Sequence, residues 1–149
     1  MELSSELRLP VPPERVWRVL TDVRRVAACV PGCESVEEEV PLQRYRAVMK
    51  QRVGPFRLEV PLEIQVTEAR EPERLRARAT GRDRATGTAV AADLTIALAG
   101  DGDGTRLGIT TDLQVGGRLA ALGYPMIRKR ADETVAEFAA RLRAALAEG

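Results

Sequence analysis

In 149 residues, 23 basic and 22 acidic side chains leave a formal net charge of +1, and histidine is absent. That balance argues against a nucleic-acid backbone or an anionic bilayer as the main partner, and the missing imidazole excludes histidine-based nucleophile activation, proton shuttling and metal ligation. No apolar run approaches the roughly 18 residues of a membrane-spanning helix, so the expectation is a cytoplasmic protein, one domain over residues 1–149, with peripheral membrane contact at most.

Leu3, Ser5, Leu7, Leu9 and Val11 alternate with polar neighbours, the period of a half-buried strand rather than of a secretion signal. Pro12-Pro13 stops it, and Pro13 can open a helix, where its missing N–H costs nothing. A short helix is expected over residues 14–20, with Val16, Val19 and Leu20 inward. Asp22 caps a second over residues 23–29, and Val30-Pro31-Gly32-Cys33 reads as a tight turn. Strands follow over residues 35–40 and 44–52, separated by Pro41-Leu42-Gln43. After Gly54-Pro55, Phe56, Leu58, Val60, Leu62, Ile64 and Val66 alternate with polar or turn-type residues, the clearest period of two in the chain. Leu75, Ala77 and Ala79 mark the next inner face. A polar loop over residues 81–87 precedes Val90, Ala92, Leu94, Ile96 and Leu98. Gly100-Asp101-Gly102-Asp103-Gly104 makes a hairpin turn, and Leu107, Ile109, Thr111, Leu113 and Val115 form the last strand.

From Gly116 to Leu146 the pattern becomes helical. Ile127, Ala131, Val135, Phe138, Leu142 and Leu146 fall one per turn on a single face, and charged residues cover the other. Gly123 and Pro125 interrupt this stretch. Proline loses a hydrogen bond, clashes with the carbonyl of Ala121 and drives Tyr124 out of helical geometry, so a break is expected at residues 123–125.

Consecutive strands on short turns imply an antiparallel meander, and one-sided strands require one face to be covered. Only the terminal helix is long enough to do so. The expected architecture is α+β: a curved seven-stranded antiparallel sheet around a long C-terminal helix, with two short helices after the first strand.

This order resembles the helix-grip fold of the START-like (SRPBCC) superfamily. Within it, Cys29-Val30-Pro31-Gly32-Cys33-Glu34-Ser35, Gly54-Pro55-Phe56 and the run from Val115 to Gly123 are similar to segments of the CoxG family, the G subunits of carbon monoxide dehydrogenase. The resemblance implies a non-catalytic accessory protein of a molybdenum-containing carbon monoxide dehydrogenase or related hydroxylase. It further implies binding of a quinone or lipid in the fold's cavity and help in bringing the enzyme to the membrane. No catalytic residue is carried over, and no cofactor is expected.

A curved sheet diverges from a straight helix at one end and leaves a pocket there. Small inner residues (Ala77, Ala79, Ala92, Ala131) fill such a grip poorly, which favours a cavity over a closed core. Its expected lining is Phe56, Leu58, Leu94, Leu113, Leu119, Leu122, Met126 and Ile127, with Arg130 placed to meet a polar headgroup. The alternatives are a solid core, a ligand-free adaptor, or a START-like cyclase or hydrolase, which needs an acid–base pair that the inward strand positions do not offer. Cys29 and Cys33 read as packing residues rather than metal ligands, since three residues separate them and no second pair exists; flanking a Pro-Gly turn, they also lie close enough in sequence for a disulfide.

Overall fold

A computed structural model describes residues 1–148, the side chain of Arg118 apart. Strand β1 (Glu2–Leu9) leads through helices α1 (Pro13–Leu20) and α2 (Val23–Cys29) into six strands. These are β2 (Cys33–Val40), β3 (Arg44–Val53), β4 (Phe56–Arg70), β5 (Arg74–Arg82), β6 (Ala89–Asp101) and β7 (Gly104–Val115). Helices α3 (Gly117–Ala120) and α4 (Tyr124–Ala147) follow. All strand pairs are antiparallel, in the order β1-β7-β6-β5-β4-β3-β2. Only the link from β1 to β2 therefore crosses the sheet. Helices α1 and α2 make that crossing, α1 against β6 and β7, α2 against β2 and α4.

Local chemistry sets the boundaries. β1 stops at Leu9, two residues before the alternation ends, because Pro10 and Pro12 follow; Pro12 is the N-cap of α1 and Pro13 its first residue. Asp22 caps α2 as expected, its carboxylate accepting from the backbone N–H groups of Arg24 and Arg25 at 3.2 and 3.3 Å. The polar loop expected from residue 81 begins at 83, since Gly81 and Arg82 still pair in β5 with Val90 and Ala89.

Arginines join the layers. The last carbonyls of α4 lack intrahelical donors; Arg25 donates to Ala145 O at 3.0 Å and Arg15 to Leu146 O at 2.8 Å. These cations from α1 and α2 also meet the negative end of the helix dipole, which anchors the short helices at the C-terminal end of α4. Along β1, Arg128 and Arg143 of α4 donate to Ser4 O and Arg8 O at 3.2 and 3.1 Å.

The expected break between the helical segments is present, by a different mechanism. Tyr124 is helical, the first residue of α4, and Pro125 sits in the first turn, where it displaces no hydrogen bond. Gly123 takes the whole distortion at φ 81° and ψ 167°, a region open essentially to glycine alone.

Burial is divided. One cluster joins Leu9, Val16, Trp17, Leu20, Cys29, Ile96, Leu107, Phe138, Leu142 and Leu146, filling the end where α1 and α2 dock. A smaller one holds Val53, Leu58, Val60 and Leu119, under α3. Between them the first half of α4 spans the sheet, approaching β1 and β3.

A cavity between the sheet and the C-terminal helix

The gap between the two clusters is a cavity of about 400 Å³. Val53, Leu58, Val60 and Leu119 close one end, Leu94, Leu113, Thr111 and Leu3 form the sheet side, and Ile127, Arg130, Ala131, Thr134 and Val135 form the helix side. Leu3, Leu94, Leu113 and Val135 face inward and yet stay only half-buried, because no side chain fills the space before them. Such unfilled apolar space is costly to leave empty, since its walls lose their dispersion partners.

Arg130 is the only ionisable side chain in the described lining. Its Nε and Nη2 donate to Gln51 Oε1 at 3.0 and 2.7 Å, and Nη1 reaches Glu133 Oε2 at 3.4 Å. Gln51 is itself held, its Nε2 donating to Pro31 O at 2.7 Å. Pro31 is fixed in turn by Gly32 (φ 81°), where a Cβ would lie 2.0 Å from Lys50 O, so only glycine lets this turn lie on β3. The turn, Gln51 and Arg130 form one polar chain leading into an otherwise greasy space.

Leu58, Leu94, Leu113, Leu119, Ile127 and Arg130 of the expected set line the cavity; Phe56, Leu122 and Met126 do not. Phe56 and Leu122 pack behind it against the smaller cluster. Met126 is 41% exposed, and its sulfur lies over the β3–β4 turn, 2.7 Å from where a Cβ on Gly54 would sit. It lies in the first turn of α4, one turn before Arg130, and covers the β3–β4 turn rather than the cavity. Nor do small residues make the space: Ala131 lines it, but Ala77, Ala79 and Ala92 do not, and large aliphatic side chains surround it. Gln51 was missed, although its place between Met49 and Val53 on the inward parity of β3 marked it.

The model of the CoxG family, described as the G subunit of carbon monoxide dehydrogenase, matches residues 6–147. The chain belongs to the CoxG family. Among curated proteins, none matches. Solved structures similar to this CoxG chain include a conserved protein from Geobacillus kaustophilus, with TM-score 0.90, 23% identity, and 99% of this chain and 96% of that one covered. A protein from Thermus thermophilus aligns with TM-score 0.74 and 20% identity over 99% and 98% of the two chains. A START superfamily protein from Mycobacterium smegmatis gives TM-score 0.74 and 14% identity over 99% and 97%. At these identities the likeness shows the fold, and that fold is START-like. No helix among the described residues of this CoxG chain is long and apolar enough to cross a membrane.

Away from the cavity, both thiols are free. Burial pushes both above the usual range, against Arg141 and Arg25 for Cys29 and together with Glu34 for Cys33. Cys29 packs in the larger cluster, and Cys33 begins β2 half-buried. Asp83, hidden within the expected polar loop, is 2% exposed. Its Oδ1 accepts from Glu59 N at 2.7 Å, and its Oδ2 accepts from Thr86 N and Thr86 Oγ1 at 2.8 and 2.7 Å. Desolvation raises its pKa, but these donors outweigh it and hold the carboxyl below its ordinary value.

Proposed function

We propose that this chain is a non-catalytic accessory protein that carries one apolar small molecule, a quinone or lipid, between α4 and the sheet. Its partner is a molybdenum-containing carbon monoxide dehydrogenase or related hydroxylase, coupled through it to the cytoplasmic face of a membrane. The supporting observation is the cavity itself. At about 400 Å³ it falls within the size of small-molecule sites, roughly 300–1,000 Å³, and has their usual make-up of apolar walls with few polar groups. Membership of CoxG points to the partner enzyme. An acid–base enzyme on this scaffold requires two titratable groups facing the substrate, and Arg130 is the only ionisable group in the described lining.

Native mass spectrometry of gently purified protein, followed by organic extraction, tests the reading. The expected result is a stoichiometric apolar adduct that leaves on extraction and returns when a quinone or lipid is supplied. A protein that emerges empty and takes up neither refutes it. Co-purification of a molybdenum hydroxylase with tagged protein tests the partner.

A further inference from the structure

We propose that the cavity selects an amphiphile with an oxyanion head, bound by Arg130, and that Gln51 is the positioning residue behind this preference. The inference rests on the cavity reading above and narrows it, of quinone and lipid, to a lipid with an anionic head. A guanidinium has five N–H groups in a rigid fork. Gln51 Oε1 takes two of them and Glu133 one, which leaves two for a ligand. A ligand with an acceptor can take them, whereas one without displaces water from the guanidinium and returns no bond, at the cost of unpaired polar groups.

The charge decides between a neutral and an anionic acceptor. Arg130 is 32% exposed, whereas its one carboxylate partner, Glu133, is 52% exposed and sits at the solvent side. That pair is screened and weak. Gln51 orients the cation and donates no charge to cancel it. An oxyanion between the aliphatic walls therefore gains a charge-assisted bond that an alcohol or ester does not. Gln51 cannot swing aside, because its own amide is tied to Pro31 O at 2.7 Å.

The test compares decanoate and decyl phosphate, below their micellar concentrations, with decanol, below its solubility limit, by calorimetric titration of delipidated protein. Carboxylate and phosphate are the two sources of the head, and the tighter of them identifies it. The expected result is at least one anion binding about tenfold or more tighter than decanol, the gain of a charged hydrogen bond. Arg130→Met should bring the anions down towards decanol. Gln51→Glu should erase the preference, because a carboxylate then neutralises the cation, although the bond to Pro31 O is lost with the amide N–H. Lys129→Met, an equal charge change on the exposed face of α4, should leave the preference in place. Equal binding of all three ligands to the unaltered protein overturns the inference and leaves the cavity reading standing. Binding of none overturns the inference, and the cavity reading then stands or falls on the quinone and lipid uptake described above. Retained preference in Gln51→Glu removes Gln51 from the account.

Discussion

Two alanines on α4 give opposite answers to the same substitution if the cavity is real. Ala131 lines the empty space, and Ala139, two turns on, is 6% exposed in the closed half of the helix. Replacing Ala131 by Leu adds three carbons to a space of about 400 Å³, so no neighbour has to move. At about 0.8 kcal/mol per buried carbon the three added carbons gain about 2.4 kcal/mol, less about 0.5–1 kcal/mol for freezing the leucine rotamer. A net gain of about 1.5–2 kcal/mol raises the melting temperature by roughly 3–8 °C in a chain of this length. Ala139→Leu puts the same atoms into occupied space and should cost about 1–3 kcal/mol through strain. Differential scanning calorimetry on delipidated protein reads both shifts; bound ligand must be removed first, since it stabilises the native state by mass action. Ala131→Leu should also reduce ligand uptake. Changes of the same sign in the two variants would show that the first half of α4 is as well packed as the second.

Other outcomes follow from the same geometry. Asp83→Asn should destabilise by about 3 kcal/mol at pH 7, as three donors lose a charged acceptor. Because the folded pKa of Asp83 lies below its unfolded value, its contribution is intact above about pH 4 and disappears as pH falls through the folded pKa. Urea denaturation at pH 7 and at pH 3 should therefore show a shrinking gap between variant and parent; a constant gap would refute this. Gly123→Ala should cost about 1–3 kcal/mol because of its backbone angles alone, as nothing but Pro125 Cδ lies near the added carbon, at 3.8 Å; an unchanged melting temperature would disprove the strain. Leu58→Asp should unfold the protein, since an unpaired buried charge costs several kcal/mol against a total of about 5–15. Asp93→Ala, which breaks only an exposed bridge to Arg78, should change stability by less than about 1 kcal/mol, and circular dichroism melts would compare the two.

The strands were legible because each buries one face, so a period of two survives in the residues; Leu58 to Val66 is the plainest case. The helical break was legible in position, but its cause was not. Proline rules in a helix interior pointed to Tyr124, whereas Gly123 had moved the helix start so that the proline landed in the first turn. Asp83 left no trace, because a turn aspartate looks the same in sequence whether it meets water or three protein donors. The cavity was foreseen in outline and misplaced in detail. Which side chain faces an opening depends on where α4 leaves the sheet, a tertiary quantity that periodicity along one segment does not encode. Gln51 shows the limit most clearly: its direction was readable, but its pairing with a residue 79 positions away was not.

An open sheet has two borders, and each could recruit a strand from another molecule. Here the arginines of α4 sit on the carbonyls of Ser4 and Arg8, so an incoming backbone must first displace charged donors from β1. At the other border β2 changes register between Glu34 and Glu37 and again between Glu38 and Val40, while Glu37, Glu38 and Glu39 stand exposed. An irregular border carrying three carboxylates repels its own copy. The safeguards therefore fail under different conditions. The guard on β2 is built into the strand itself, whereas β1 is guarded only for as long as α4 remains docked. Strand addition at β1 should therefore require α4 to lift away first.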